Sequence, residues 1–216
     1  INNYLSFYLL ILISFSYFFL YTKHNVANDS TISEWLINYE GGFTKRGFVG
    51  QLAIELSRIL ELNLRWVIFL LQSFACTIYF FFLYKLLRNL KVERITVLAV
   101  FTPIFILYPI AEIEVLARKE ILVFSLFMFY LFIPRKSIFK IFSFIVFTTF
   151  SILIWEPIIF LFPLVLIFEI IENKIERFNF DLFRVILSFI PSLIIVYFIV
   201  FFPLTTNEHN TMALIL

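Results

Sequence analysis

Three groups of residues carry side chains suited to chemistry. The first is Glu40-Gly41-Gly42-Phe43-Thr44-Lys45-Arg46-Gly47-Phe48-Val49-Gly50, which holds all four glycines of the chain. Glycine accepts backbone conformations and close approaches that other residues resist. Successive exposed N–H groups beside Lys45 and Arg46 would make an anion site. The same glycines also suit a tight turn between two surface helices. The second group is Glu112, Glu114, Arg118, Lys119 and Glu120, in which Glu114 and Arg118 have the i,i+4 spacing of a helical ion pair. The third is Glu156, set between Trp155 and Pro157 with no other charge from Ile141 to Phe168. A carboxylate bordering hydrocarbon is costly unless it is paired or lines a wet cavity, which makes Glu156 a candidate for function. An exposed hairpin turn is the alternative.

The chemistry these types allow is transfer at a phosphate-linked carbon. Glu40 or Glu156 would take a proton from an attacking hydroxyl. Lys45, Arg46, Arg118 and Lys119, with Glu120 and the backbone of Gly41, Gly42 and Gly47, would bind the substrate and hold phosphate as the leaving group. Other chemistries are poorly served. Cys76 is the only cysteine, so no internal disulfide or multi-thiolate zinc site can form. His24 and His209 are isolated. No metal site is assigned, and a divalent cofactor has no clear ligand motif. A net charge of +2 without a basic face or tail argues against nucleic acid as a partner.

The elements that must position these residues are membrane helices. The chain is 62% hydrophobic and 15% charged, against about half and a quarter in soluble domains. The excess lies in runs: Tyr4–Tyr21, Trp66–Tyr84, Ile95–Ile110, Ile121–Ile133, Ile141–Trp155, Pro157–Ile171 and Val185–Pro203. These predict an all-α polytopic bundle of about seven transmembrane helices, residues 1–216 forming one domain. Pro103, Pro109, Pro163 and Pro191 fall inside runs and would kink them. The start at Ile1 and the apolar end at Met212–Leu216 read as a piece of a longer protein.

Charge placement orients the bundle. Three connectors hold ten of the 17 Lys and Arg: Lys85, Arg88, Lys91 and Arg94; Arg135, Lys136 and Lys140; Lys174, Arg177 and Arg184. They alternate along the chain as cytoplasmic loops do. The opposite connectors carry ten of the 15 acidic residues. With the N-terminus inside, every connector dominated by Lys and Arg falls on the cytoplasmic side and residues 22–65 lie outside, the orientation expected of a bacterial inner-membrane protein. The central runs are shorter than the roughly 17–25 residues of a full crossing, so the connectors at 111–120 and Glu156 should sit in a depression.

Within 22–65, Thr31-Ile32-Ser33-Glu34 has capping-box spacing, predicting a short helix through Trp35 to Tyr39. Gln51–Leu62 places Leu52, Leu56, Ile59 and Leu60 on one stripe, an amphipathic helix suited to the membrane surface. Asn28-Asp29-Ser30 fits a glycosylation sequon.

Spans, surface helices and acidic residues in the first outer loop, taken together, resemble the GT-C class of membrane glycosyltransferases. The segment Glu40–Phe48 also looks like stretches of bacterial envelope-polysaccharide membrane proteins. The loop carries Asp29, Glu34 and Glu40 singly, where the GT-C class often pairs its acids. The resemblance implies a lipid-(pyro)phosphate-linked sugar donor, membrane lipid as partner, and a role in envelope glycan assembly. A polysaccharide polymerase, a transporter or flippase of an anionic lipid-linked substrate, and a non-enzymatic scaffold are the other classes. Oligomeric state is not legible.

Overall fold

The computed structural model describes residues 2–25, 30–88, 93–101, 115–134, 139–176 and 186–213. Every regular element among them is helical. Helix α1 (Asn2–Asn25) leads into a loop holding α2 (Ser30–Trp35) and α3 (Gly47–Leu60), then α4 (Leu64–Leu87). Next come α5 (Arg94–Phe101), α6 (Glu120–Phe132) and α7 (Phe139–Ile154). A 3₁₀ helix (Glu156–Leu161) joins α7 to α8 (Phe162–Glu176), and the chain continues to α9 (Ile190–Phe201) and α10 (Thr206–Ala213).

Two helices are long and apolar enough to cross a membrane, Tyr4–Asn25 and Leu64–Leu87. At 24 residues, α4 spans about 36 Å against about 30 Å of hydrocarbon. The stretch Ile186–Phe201 with α10, bent by 107° at their junction, makes a third if taken as one span. Helices α6 and α7 are apolar but short, at 13 and 16 residues, so they cover only about 20 and 24 Å. Run Ile95–Ile110 lies mostly outside the described residues, as do Glu112, Glu114, Pro103, Pro109, Lys91, Arg135, Lys136, Arg177, Arg184 and the Asn28-Asp29 pair.

Helix α4 is central. It packs against α1, α3 and α6; α6 packs on α7, and α7 on α9. Its inward side is Val67, Ile68, Ala75, Cys76, Tyr79 and Leu83, all buried. The outward side of α1 is equally apolar: Phe7, Leu10, Phe15 and Phe18 are exposed. A helix apolar all round has no face suited to water, and lipid is the solvent that fits it. Several hydroxyls inside the bundle find internal acceptors, as that solvent favours. Ser16 Oγ donates to the Leu12 carbonyl at 2.8 Å, Ser125 Oγ to that of Ile121 at 2.7 Å, and the Tyr17 hydroxyl pairs with Thr77.

Several local expectations change. Helix α2 stops at Trp35 because Asn38, fully buried, forms its own turn: its Oδ1 accepts from the Glu40 N–H and its Nδ2 donates to the Leu36 carbonyl, both at 3.0 Å. Helix α3 begins at Gly47, ahead of Gln51. Its packed side is Gly47, Val49, Gly50, Ala53 and Ile54, leaving Leu52, Ile59 and Leu60 exposed. Pro163 and Pro191 sit in the first turns of α8 and α9, where a missing N–H costs nothing, instead of kinking helix interiors. Lys140 is a buried residue, not an exposed connector charge. Its Nζ donates to the Tyr130 carbonyl at 2.9 Å and lies 3.6 Å from that ring's centroid, while the Tyr130 hydroxyl donates to Glu169.

Candidate functional site

Four chain segments meet at the end of the bundle where α4 and α6 begin and α7 ends. Glu34 comes from α2, Arg46 from the residue before α3, Arg118 to Glu120 from the turn into α6, and Glu156 from the turn after α7. The Arg46 guanidinium forks onto Glu156, Nε to Oε2 at 2.7 Å and Nη2 to Oε1 at 3.1 Å. Its Nη1 lies 3.6 Å from Glu34 Oε1. Arg118 forks onto Glu34, Nη2 to Oε1 at 2.8 Å and Nε to Oε2 at 3.3 Å. The two arginines thus share Glu34, and paired forks of this kind fix geometry as well as charge.

Backbone strain accompanies the charges. Arg46 and Ala117 are both left-handed, at φ 60° and 56°, a region that costs an ordinary residue about 1–2 kcal/mol. Each strained carbonyl is held from the other segment. Lys119 Nζ donates to the Arg46 carbonyl at 2.6 Å, and Trp35 Nε1 donates to the Ala117 carbonyl at 2.9 Å. The result is a reciprocal clasp between the first loop and the turn before α6. Ala117→Gly is expected to hold or raise stability, by no more than about 1 kcal/mol, because the strain is relieved while the clasp stays. Ala117→Val, β-branched at positive φ, should lower it by about 2 kcal/mol or more. Thermal unfolding of both variants in one detergent measures this.

Lys119 is 1% exposed. Burial pushes its ammonium down to about 7, the Arg46 charge adds to that, and Glu34, Glu156 and Glu120 oppose it. Arg46 is held charged above its ordinary value, chiefly by the hydrogen bonds to Glu156, then by the charges of Glu156, Glu34 and Glu120 and against the effect of burial. Glu120 adds a third carboxylate in the first turn of α6, and its Oε2 is buried without a hydrogen-bond partner.

Of the residues expected to act together, Arg46, Arg118, Lys119, Glu120 and Glu156 converge. Glu40 does not join them. It pairs with Arg58 at 2.9 Å and accepts from Gln51 Nε2 at 3.2 Å, because the Asn38 turn aims it along α3. Lys45 is exposed. Arg118 takes Glu34 as its partner across 84 residues; the Glu114 considered for it lies outside the described residues. The glycines are used for close packing. Gly41 lies against α10, where an added Cβ would overlap the Glu208 carbonyl; Gly42 has φ 138° and donates its N–H to the Tyr39 carbonyl at 3.0 Å; Gly47 leaves room for the Tyr39 ring. Burial pushes the Tyr39 phenol up to about 12.

Sequence reasoning missed Glu34 and Trp35 as parts of the site. The Thr31–Glu34 spacing pointed to helix capping, and no local pattern marks partners so far apart in the chain. Among the described residues no group of three or more His, Cys, Asp or Glu could hold a metal ion. No protein-family model, curated protein or solved structure matches the chain. What fold and site define together is an all-helical protein with two or three helices able to span a membrane and a charged cluster at one end of them.

Proposed function

We propose that this chain is the membrane part of a GT-C-type glycosyltransferase that uses a lipid-(pyro)phosphate-linked sugar at the outer membrane face. The observation that carries this is the convergence of Arg46, Arg118 and Lys119 with Glu34, Glu120 and Glu156 where the short helices α6 and α7 meet the loop. Guanidinium and ammonium groups at that level suit the phosphate of a lipid-linked donor. Glu156, with a lone pair left on each forked oxygen, or Glu120, with its unmatched Oε2, would take the acceptor's proton. Glu40 is not retained as the base, since Arg58 and Gln51 occupy it. A scaffold role draws on one observation, that each arginine already has a carboxylate. The purified chain in nanodiscs should transfer labelled sugar from a polyprenyl-phosphate donor to a glycan acceptor. Neither transfer nor donor binding would leave the scaffold role.

The proposal includes seven spans with the N-terminus cytoplasmic and residues 22–65 outside. In a Cys76→Ser background, Thr44→Cys should react with a membrane-impermeant thiol reagent on intact cells. Reaction only after lysis would reverse the orientation.

A further inference from the structure

An apolar groove of about 380 Å³ lies among α3, α4, α6 and α7. It follows α4 from Leu71 through Phe74 and Ile78 to Phe82, about 16 Å of helix. The volume is within the roughly 300–1,000 Å³ of ligand sites. Phe82 meets Phe129 and Phe132, with ring centroids 6.0 and 5.8 Å apart, at the end of the groove away from the loop. Phe48 packs edge-on against Phe150 at 5.2 Å on one side. Ser125 brings a hydroxyl to the wall, but its Oγ is already bonded to the Ile121 carbonyl, so it offers the groove no free donor.

The groove and the charged cluster are built on the same four segments. Glu34 adjoins Trp35, Arg46 is two residues from Phe48, Glu120 two from Leu122, and Glu156 two from Ile154; the second member of each pair lines the groove. Each segment therefore delivers a charge to the cluster and an apolar side chain to the groove. Phe74 and Phe129 are exposed at its rim, on faces that α4 and α6 turn outward.

We infer that this groove receives the hydrocarbon chain of a single-chain lipid phosphate, its phosphate lying at the Arg46–Lys119 end, and that the molecule enters sideways between α4 and α6 beneath α3. One slot suits one chain; a two-chain phospholipid would leave its second chain outside. The apolar lining runs into segments that carry Arg46 and Lys119, now bonded to Glu156, Glu34 and the Arg46 carbonyl, so an anionic head bound there exchanges with those carboxylates. The inference rests on the lipid-phosphate donor proposed above and adds where its chain lies and how it enters.

The test is photolabelling of the whole chain in nanodiscs with three probes: a polyprenyl phosphate bearing a diazirine near its head, the same chain as the free alcohol, and a two-chain phosphatidate with a diazirine in one acyl chain. The polyprenyl phosphate should label 71–82 and 122–129 at least about tenfold over the outward face of α1. Ser125→Trp, which fills the groove, should abolish that labelling while the variant still binds the phosphate probe weakly and unfolds cooperatively. Even labelling of all outward faces, or equal groove labelling by phosphatidate, would overturn the inference using the unaltered protein alone. Equal labelling by the alcohol would keep the chain in the groove but overturn the placement of the phosphate at the cluster, and the proposed donor with it. Saturable phosphate-probe binding with labels elsewhere would do the reverse.

Discussion

Gly50→Ala should unfold the first loop and lower stability by about 3 kcal/mol or more, the upper range for overpacking. A Cβ on Gly50 would overlap the Ile37 carbonyl oxygen, with the Ile37 carbonyl carbon at 2.6 Å and the Trp35 carbonyl oxygen at 2.8 Å. All three are backbone atoms, so no rotamer change makes space. The remaining escape is for α3 to move away from residues 35–37, and that motion carries Arg46, the residue preceding α3, away from Glu156 and Lys119. Glu55→Ala, on the exposed side of the same helix, should change stability by less than about 0.5 kcal/mol. Denaturant unfolding of the pair separates the two outcomes. Equal behaviour would mean that the chain relaxes around Gly50 and that the close approach is not required.

Breaking the Arg46–Glu156 fork should have the second large effect. Both side chains are mostly buried, at 26% and 22% exposed, and hydrogen bonds between charged groups contribute about 1.5–3 kcal/mol each way of counting. A double-mutant cycle with Arg46→Met and Glu156→Gln should give a coupling of about 1.5 kcal/mol or more, since residues in one network do not add. The two single variants should differ in function. If Glu156 is the base, Glu156→Gln lowers sugar transfer by about 10²–10⁴ with donor binding nearly kept, whereas Arg46→Met loses binding as well. A coupling near zero would make the fork an exposed surface pair. Unchanged transfer in Glu156→Gln would move the base to Glu120, which Glu120→Gln then tests directly.

Much of the framework was legible from side-chain chemistry. Two apolar runs appear as α1 and α4 because about 20 apolar residues in sequence have few other uses. The confinement of every glycine to residues 41–50 points to an unusual backbone or a close approach there; Gly42, at φ 138°, supplies the first, and Gly50, within α3, the second. Glu156 was conspicuous because a lone carboxylate between apolar runs needs a partner, and Arg46 is that partner across 110 residues. The identity of such partners was not legible. Spacing rules act over three or four residues, while the hydrogen bonds of Lys119 to Arg46 and of Arg46 to Glu156 join residues 73 and 110 apart. Sequence favours Glu40 over Glu34 for the same reason: which of two nearby acids faces the cluster depends on the Asn38 turn, a matter of one buried side chain. Lys140 was counted with the surface charges because its acceptor, a carbonyl near the end of α6, has no side-chain signature.

The reciprocal hold of Trp35 on Ala117 and of Lys119 on Arg46 bears on how the site can open. Were the two bonds independent, the loop and the turn could fray one at a time. Here each segment grips the strained carbonyl of the other, so release of either lets a left-handed residue relax and slackens the second grip. The pair should behave as one cooperative unit, with a single opening free energy shared by residues 34–47 and 115–120. Amide protons in both segments would then exchange with solvent at a common rate, although nearly 70 residues of chain and the whole of α4 lie between them.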